Sequence, residues 1–191
     1  MKALVLDGSR EGDALTTVAV LGVRAALEGR GAVVEHAILR KLSVAPCTGC
    51  FGCWTRTPGE CVFGDDARDV VRSYLDSDVV VYATPVTFGG YSSLLKATLD
   101  RIILPVLDPR FTVVGGEVHH RLRYRRYPKT VGLGTLPTPD PEAERLFASL
   151  VARNGLNVQQ AAEAVVLAGV TDPASAKMFA ERLLDRAGVP R

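Results

Sequence analysis

The stretch Asp78-Val-Val-Val-Tyr-Ala-Thr84, closed by Pro85, is the feature that most restricts the fold of this chain. It is rich in β-branched and aromatic residues and shows no polar alternation, so it reads as a strand buried on both faces. Such a strand requires helices over both sides of its sheet. Four more apolar runs read as strands: Lys2–Asp7, Val33–Leu39, Thr130–Thr135 and Ala164–Ala168. Helical periodicity fills the gaps between them. Asp13 is the expected cap of the first helix, whose apolar face is predicted as Leu15, Val18, Leu21, Gly22 and Ala25. Asp65-Asp66 signals the start of the next, which repeats Ala67, Val70, Val71, Tyr74 and Leu75. Ser92 caps a third, running through Leu95, Leu99, Ile102 and Ile103. Asp140 with Pro141 opens a fourth and Asp172-Pro173 a fifth. Five strands alternating with five helices predict a doubly wound parallel α/β sheet.

Five strands in this arrangement fit the flavodoxin-like order 2-1-3-4-5. Residues 105–128 break the rhythm. Phe111-Thr-Val-Val, then Gly115-Gly116, then Glu117-Val-His-His-Arg-Leu predict a hairpin insert before the fourth strand. The whole chain, 1–191, is expected to form a single domain. Ligands in this fold sit beyond the carboxyl ends of the strands where the strand order reverses. The loops there are Gly8–Thr16, Thr84–Ser92 and Thr135 onward.

All four cysteines fall in one loop, 45–66, in the pattern Cys47-x2-Cys50-x2-Cys53-x7-Cys61. This loop also starts at the carboxyl edge, after the second strand, so it is expected to share one face with the ligand loops. The x2 spacing lets a short loop turn each thiolate toward one point, with Gly49, Gly52, Pro58 and Gly59 supplying the turns. Iron–sulfur cubanes use such a layout. Tetrahedral zinc uses a related one. Two disulfides, or four small buried apolar side chains, are the structural alternatives. The apolar run at the start breaks at Asp7, too early for the core of a secretion signal. No run approaches transmembrane length. A cytoplasmic location is therefore expected, where thiols stay reduced and metal binding is their better use. The net charge of +2 gives no strong pull toward nucleic acid or membrane, and neither is expected as a partner.

Two sets of residues resemble the NAD(P)H-dependent FMN reductase family, and within it the iron–sulfur flavoproteins. One is Cys47-Thr-Gly-Cys50-Phe-Gly-Cys53-Trp with Thr57-Pro-Gly-Glu-Cys61 and Asp65-Asp66. The other is Ala83-Thr-Pro-Val-Thr-Phe-Gly-Gly-Tyr-Ser-Ser with Leu95-Lys96 and Leu99-Asp100-Arg101. The resemblance implies an FMN site. Ser9 and Arg10 match the phosphate loop; Pro85, Val86, Thr87, Phe88 and Gly89 match the loop along the isoalloxazine ring; Thr135 matches the third flavin loop. It also implies that Cys47, Cys50, Cys53 and Cys61 hold a [4Fe-4S] cluster that relays electrons, with zinc as the alternative. NAD(P)H is the implied reductant, a small molecule or protein the acceptor, and a homodimer or homotetramer the assembly. No general base is expected, because the flavin carries the chemistry.

The first loop departs from the family pattern. Glu11 and Asp13 place carboxylates where a phosphate belongs, although Asp13 also suits a helix cap. Three functions therefore compete. The first is a flavin or quinone reductase that uses NAD(P)H. The second is a non-enzymatic iron–sulfur flavoprotein carrier. The third is a flavin-less zinc or structural homologue. The basic run His119, His120, Arg121, Arg123, Arg125, Arg126 and Lys129 is expected at a subunit interface or site rim. Trp54 is expected to pack the cysteine loop, and His36 to be structural.

Overall fold

The computed structural model describes residues 1–191. Five strands form one parallel sheet: β1 (Lys2–Asp7), β2 (Val33–Ile38), β3 (Val79–Pro85), β6 (Lys129–Leu136) and β7 (Ala162–Ala168). Their spatial order is β2-β1-β3-β6-β7. Two further strands, β4 (Leu107–Val114) and β5 (Glu117–Leu122), pair only with each other as an antiparallel hairpin around Gly115-Gly116. Both glycines have positive φ, 58° and 84°, which the two-residue turn requires.

Helices α1 (Ala14–Gly29) and α6 (Pro173–Arg186) cover one face of the sheet. Helices α3 (Ala67–Asp76), α4 (Ser93–Val106) and α5 (Pro141–Asn157) cover the other. A single-turn helix, α2 (Gly52–Thr55), lies inside the cysteine loop. Each face has its own apolar core, and alternate residues of β3 serve the two. Val79, Val81 and Ala83 face α1 and α6, while Val80 and Tyr82 face α3 and α4. That two-sided burial is why the strand carries no polar alternation.

Three expected details are revised. The buried stripe of α1 is Thr16, Ala19, Val20, Val23, Ala26 and Leu27, and Leu21 is exposed. The helix is apolar on most sides, so periodicity alone does not set its phase. Packing does, because Gly22 lies against α6. Helix α4 runs past Pro105 to Val106, where a stop was expected at the proline. The proline removes the bond its N–H would have given to the Arg101 carbonyl, and the helix ends one residue later. The second strand ends at Ile38, and Leu39–Lys41 forms a 3-10 turn.

The α1–α6 contact leads to a testable cost. A Cβ at Gly22 would lie 2.6 Å from both the backbone and the side chain of Ala176. Gly22→Ala is expected to destabilise the fold by ~1–3 kcal/mol through overpacking, despite alanine's better helix propensity. A Cβ at Gly29 meets nothing within 4 Å. Gly29→Ala should therefore be neutral or slightly stabilising. Urea unfolding midpoints of the two variants should move in opposite directions, or only the first should move.

Candidate functional site

Three loops converge at the carboxyl edge between β1, β3 and β6. The Gly8 N–H donates to the Ala83 carbonyl at 2.8 Å, and the Ser92 hydroxyl donates to the Gly8 carbonyl at 2.7 Å. A Cβ on Gly8 would stand 2.7 Å from the Ser92 hydroxyl oxygen, so this crossing needs glycine. The hydroxyls of Thr16 and Thr135 are hydrogen-bonded at 2.7 Å, joining the start of α1 to the end of β6. The Val86 N–H donates to the Thr135 carbonyl at 3.0 Å. The structure thus gathers Ser9, Pro85, Val86 and Thr135 at one place.

The loop after β3 is a tight turn. Thr87 and Gly90 exchange both backbone hydrogen bonds, at 3.0 and 2.9 Å. Phe88 and Gly89 between them have φ of 50° and 73°. A left-handed conformation is unusual for phenylalanine and marks a strained loop tip. The Phe88 ring projects fully into solvent. Tyr91, by contrast, points inward: it packs edge-on against Tyr82 and Phe147 and accepts from the Asn154 amide at 2.9 Å. Burial pushes its phenol well up, so it is a neutral core group and not a ring contact at the loop.

The phosphate-type loop is more crowded. Ser9 is fully buried and its hydroxyl accepts from Arg40 at 2.8 Å. Its N–H donates at 2.9 Å to Asp7, which is itself buried at the end of β1. Asp7 also bonds His36 at 3.0 Å and lies 3.7 Å from Arg40. Burial raises the Asp7 carboxyl, but hydrogen bonds from His36 and Ser9 outweigh it and hold the group below its usual range. Arg10 is exposed. The backbone N–H groups of Arg10, Glu11, Gly12, Ala14 and Leu15 have no partner within the chain. They surround the start of α1, which is the setting for an anion. Asp13 stands at the same point. One of its oxygens accepts from the Thr16 N–H at 3.0 Å, and the other is buried without a partner. The donor set therefore fits a phosphate, and one carboxylate of the chain contests it. Arg40 is a cation at this loop that no local sequence pattern indicated.

The four cysteines are all free and line one cavity together with Arg101 and Leu104. Cys53 is buried and Cys50 exposed. Burial and the neighbouring thiolate of Cys61 push the Cys53 thiol up. The N–H of Gly52 holds the exposed Cys50 thiol below its usual range. No three His, Cys, Asp or Glu side chains gather tightly enough around one point to hold a single ion. The loop folds closely on itself: a Cβ at Gly52 would lie 2.5 Å from the Val62 side chain. Trp54 packs the loop, as expected. Its indole N–H donates to the carbonyls of Leu104 and Leu107, and its ring stacks on Phe51 and meets His120 at a tilt. His119 is buried against the Glu117 carboxylate at 3.5 Å, on the opposite face of β5 from His120.

Two expectations change here. The cysteine cavity and the flavin-type loops were expected to share one edge. Instead the loop after β3 leads into the first turn of α4, where Ser92 also holds Gly8, whereas Asp100, Arg101, Leu104 and Pro105 of the helix's second half line the cavity. At 1.5 Å per residue, Ser93 is roughly 10 Å along the helix from Asp100 and roughly 16 Å from Leu104. Asp65 and Asp66 were expected to cap α3. Asp65 does so in part, accepting from the Ala67 N–H at 3.2 Å, whereas the Asp66 side chain makes no cap bond. It accepts from the Ser43 N–H at 2.7 Å. Asp65 forms a two-pronged ion pair with Arg101, at 2.7 and 2.8 Å. Three members of the basic run are also tied down within the chain. Arg123 donates to the carbonyls of Pro105 and Leu107, Arg126 pairs with Asp78 at 3.0 Å, and Lys129 donates to the Ala187 carbonyl at 3.0 Å.

The model of the NADPH-dependent FMN reductase family matches residues 1–122, from β1 to the end of β5. The chain belongs to this family. Among curated relatives, an iron–sulfur flavoprotein of Methanocaldococcus jannaschii is 31% identical over 101 residues, which is 53% of this chain and 51% of that protein. The chain spans about half the length of the curated relatives it matches. Among solved structures, an FMN-dependent NADH-azoreductase from Bacillus anthracis in complex with FMN superposes with a TM-score of 0.64 at 15% identity. That match covers 98% of this chain and 97% of the azoreductase. An NAD(P)H:quinone oxidoreductase from Methanothermobacter marburgensis gives 0.62 at 14% identity, covering 98% and 94%. At such identities the likeness is one of fold, and it agrees with the flavodoxin-like reading. No helix of the chain is long and apolar enough to cross a membrane.

Proposed function

We propose that this chain is an FMN-dependent oxidoreductase that takes reducing equivalents from NAD(P)H and delivers them to a small-molecule or protein acceptor. One observation carries the reading: the loops after β1, β3 and β6 meet at the point where the strand order reverses, and unpartnered N–H groups surround the start of α1 there. Arg10, with those N–H groups, holds the phosphate end. Residues 85–89 and Thr135 border the ring, and the exposed Phe88 flanks the opening. Bound FMN supplies the hydride and one-electron chemistry. The chain's task is to bind, orient and shield it.

The reading extends to Cys47, Cys50, Cys53 and Cys61 as ligands of a [4Fe-4S] relay, as the names of the curated relatives suggest. Four thiols lining a cavity, and not converging on one point, suit a polynuclear centre better than one zinc ion. Four free thiols also suit a reducing cytoplasm. A homodimer or homotetramer completes the reading. The hairpin supports it, because Phe111, Val113 and Val118 are exposed together on one of its faces.

The visible absorption spectrum of protein purified without air, taken before and after NADPH, tests this directly. Flavin bands over a broad iron–sulfur shoulder, with the flavin bleached by NADPH, are expected. Flavin bands alone would remove the cluster from the reading. A colourless protein that takes up no added FMN would overturn it.

A further inference from the structure

Arg101 is among the largest fully buried side chains of the chain, and most of its hydrogen bonds go to the cysteine loop. Its guanidinium donates two bonds to Asp65, at 2.7 and 2.8 Å, and a third to the Ala45 carbonyl at 2.7 Å. Asp65 returns the link, accepting from the Ala45 N–H at 3.0 Å. Just outside this knot, Ser43 and Asp66 exchange two more bonds, at 2.7 and 3.2 Å. Ala45 lies two residues before Cys47, and Asp65 four residues after Cys61. These contacts therefore tie the two ends of the loop that carries all four sulfurs. The guanidinium carbon also lies 5.4 Å from the centre of the Phe63 ring, and Arg101 is the one cation lining the cysteine cavity. Its Nε–H is buried without a partner.

We propose that Arg101 is the positioning residue of the cysteine centre: it closes the neck of the loop and presents the positive charge that faces the four sulfurs. The fork geometry explains why arginine stands here. A lysine keeps the charge but cannot hold both Asp65 oxygens and the Ala45 carbonyl in one plane. Cys47 and Cys61 approach the cavity from the two ends of the loop, so their separation depends on this closure. A buried cation beside a cluster of thiolates also favours the more negative, reduced state. The charge role rests on the cluster reading above; the closure does not.

Two variants separate the two roles. In metal-free, reduced protein, Arg101→Lys is expected to speed hydrogen exchange of amides 46–64 at least tenfold and leave β1, β3 and β6 unchanged. Unchanged exchange in the loop, or equal acceleration throughout the sheet, would overturn the closure. Asp65→Asn breaks the same knot from the other side and should reproduce the local effect if an Arg101 variant folds poorly. After reconstitution with Fe²⁺ and sulfide, Arg101→Gln is expected to lower the cluster's midpoint potential by about 60 mV or more, a tenfold change for one electron. Arg101→Lys should stay near the unmodified protein. Equal potentials in all three would overturn the charge role. Failure of the unmodified chain to take up iron would remove the cluster reading and the charge role with it, while the exchange result would still decide the closure.

Discussion

Asp13→Asn is expected to tighten FMN binding by ~10–100-fold. The residue caps α1 through one oxygen, which accepts from the Thr16 N–H at 3.0 Å. Asparagine keeps that oxygen and is as good a cap, so the helix should lose no stability. What disappears is a carboxylate at the place where a phosphate dianion would meet the free N–H groups of residues 10–12, 14 and 15. Two unit charges 4 Å apart repel by about 4 kcal/mol at an effective dielectric of 20, and solvent at this exposed loop lowers that figure. A residual of ~1.4–2.7 kcal/mol corresponds to the stated range. Riboflavin, which has the ring but no phosphate, is the control. Its affinity should be the same in both proteins, whereas FMN should distinguish them. Fluorescence titration with each flavin measures this. If Asp13→Asn leaves both affinities unmoved, the phosphate end does not lie at the start of α1.

Asp13 also shows how far the sequence could be read. A cap and a charge conflict were both visible at this residue, because both are local. The strands were visible for a similar reason: Asp78–Thr84 declares two-sided burial by its composition alone. The hairpin followed from Gly115-Gly116. The phase of α1 did not, because a helix apolar on most sides admits several stripes, and only the close approach of Gly22 to Ala176 selects one. Arg40 was passed over, and Arg101 was named only within the motif Leu99-Asp100-Arg101, without a role. Each acts on a residue more than 30 positions away, Ser9 in one case and Asp65 in the other, and such a long-range contact leaves no periodic trace. The pair Asp65-Asp66 was legible as a cap, which Asp65 in part is, because the sequence shows what precedes a helix; it does not show which distant arginine the same carboxylate meets. The distance between the cysteine cavity and the flavin-type loops was hidden for the same reason. The cysteine loop leaves the carboxyl edge after β2 but settles beside the second half of α4, where Trp54 and Arg101 anchor it.

Cys50→Ser is expected to remove the cluster and leave flavin binding untouched. Cys50 is the exposed member of the four, so a serine there fills the same space without opening a hole in the core. Cys53 is buried, and its loss would mix a packing defect with the loss of a ligand. Losing a group that merely supports a metal ligand lowers affinity by about 10–100-fold, and losing a ligand itself should exceed that. Iron and sulfide content after anaerobic reconstitution should therefore fall to background in the variant. The flavin should remain, since the loop after β3 meets α4 at its first turn, roughly 10 Å or more along the helix from the residues that line the cysteine cavity. Three results are distinguishable by metal analysis and absorption. Iron lost with flavin kept supports two separate sites on one chain. Both lost together would mean that the cysteine loop shapes the flavin site despite that distance. Iron kept would show that Cys50 is not a ligand, and would leave the lowered thiol at Cys50 as a solvent-facing nucleophile held by the Gly52 N–H.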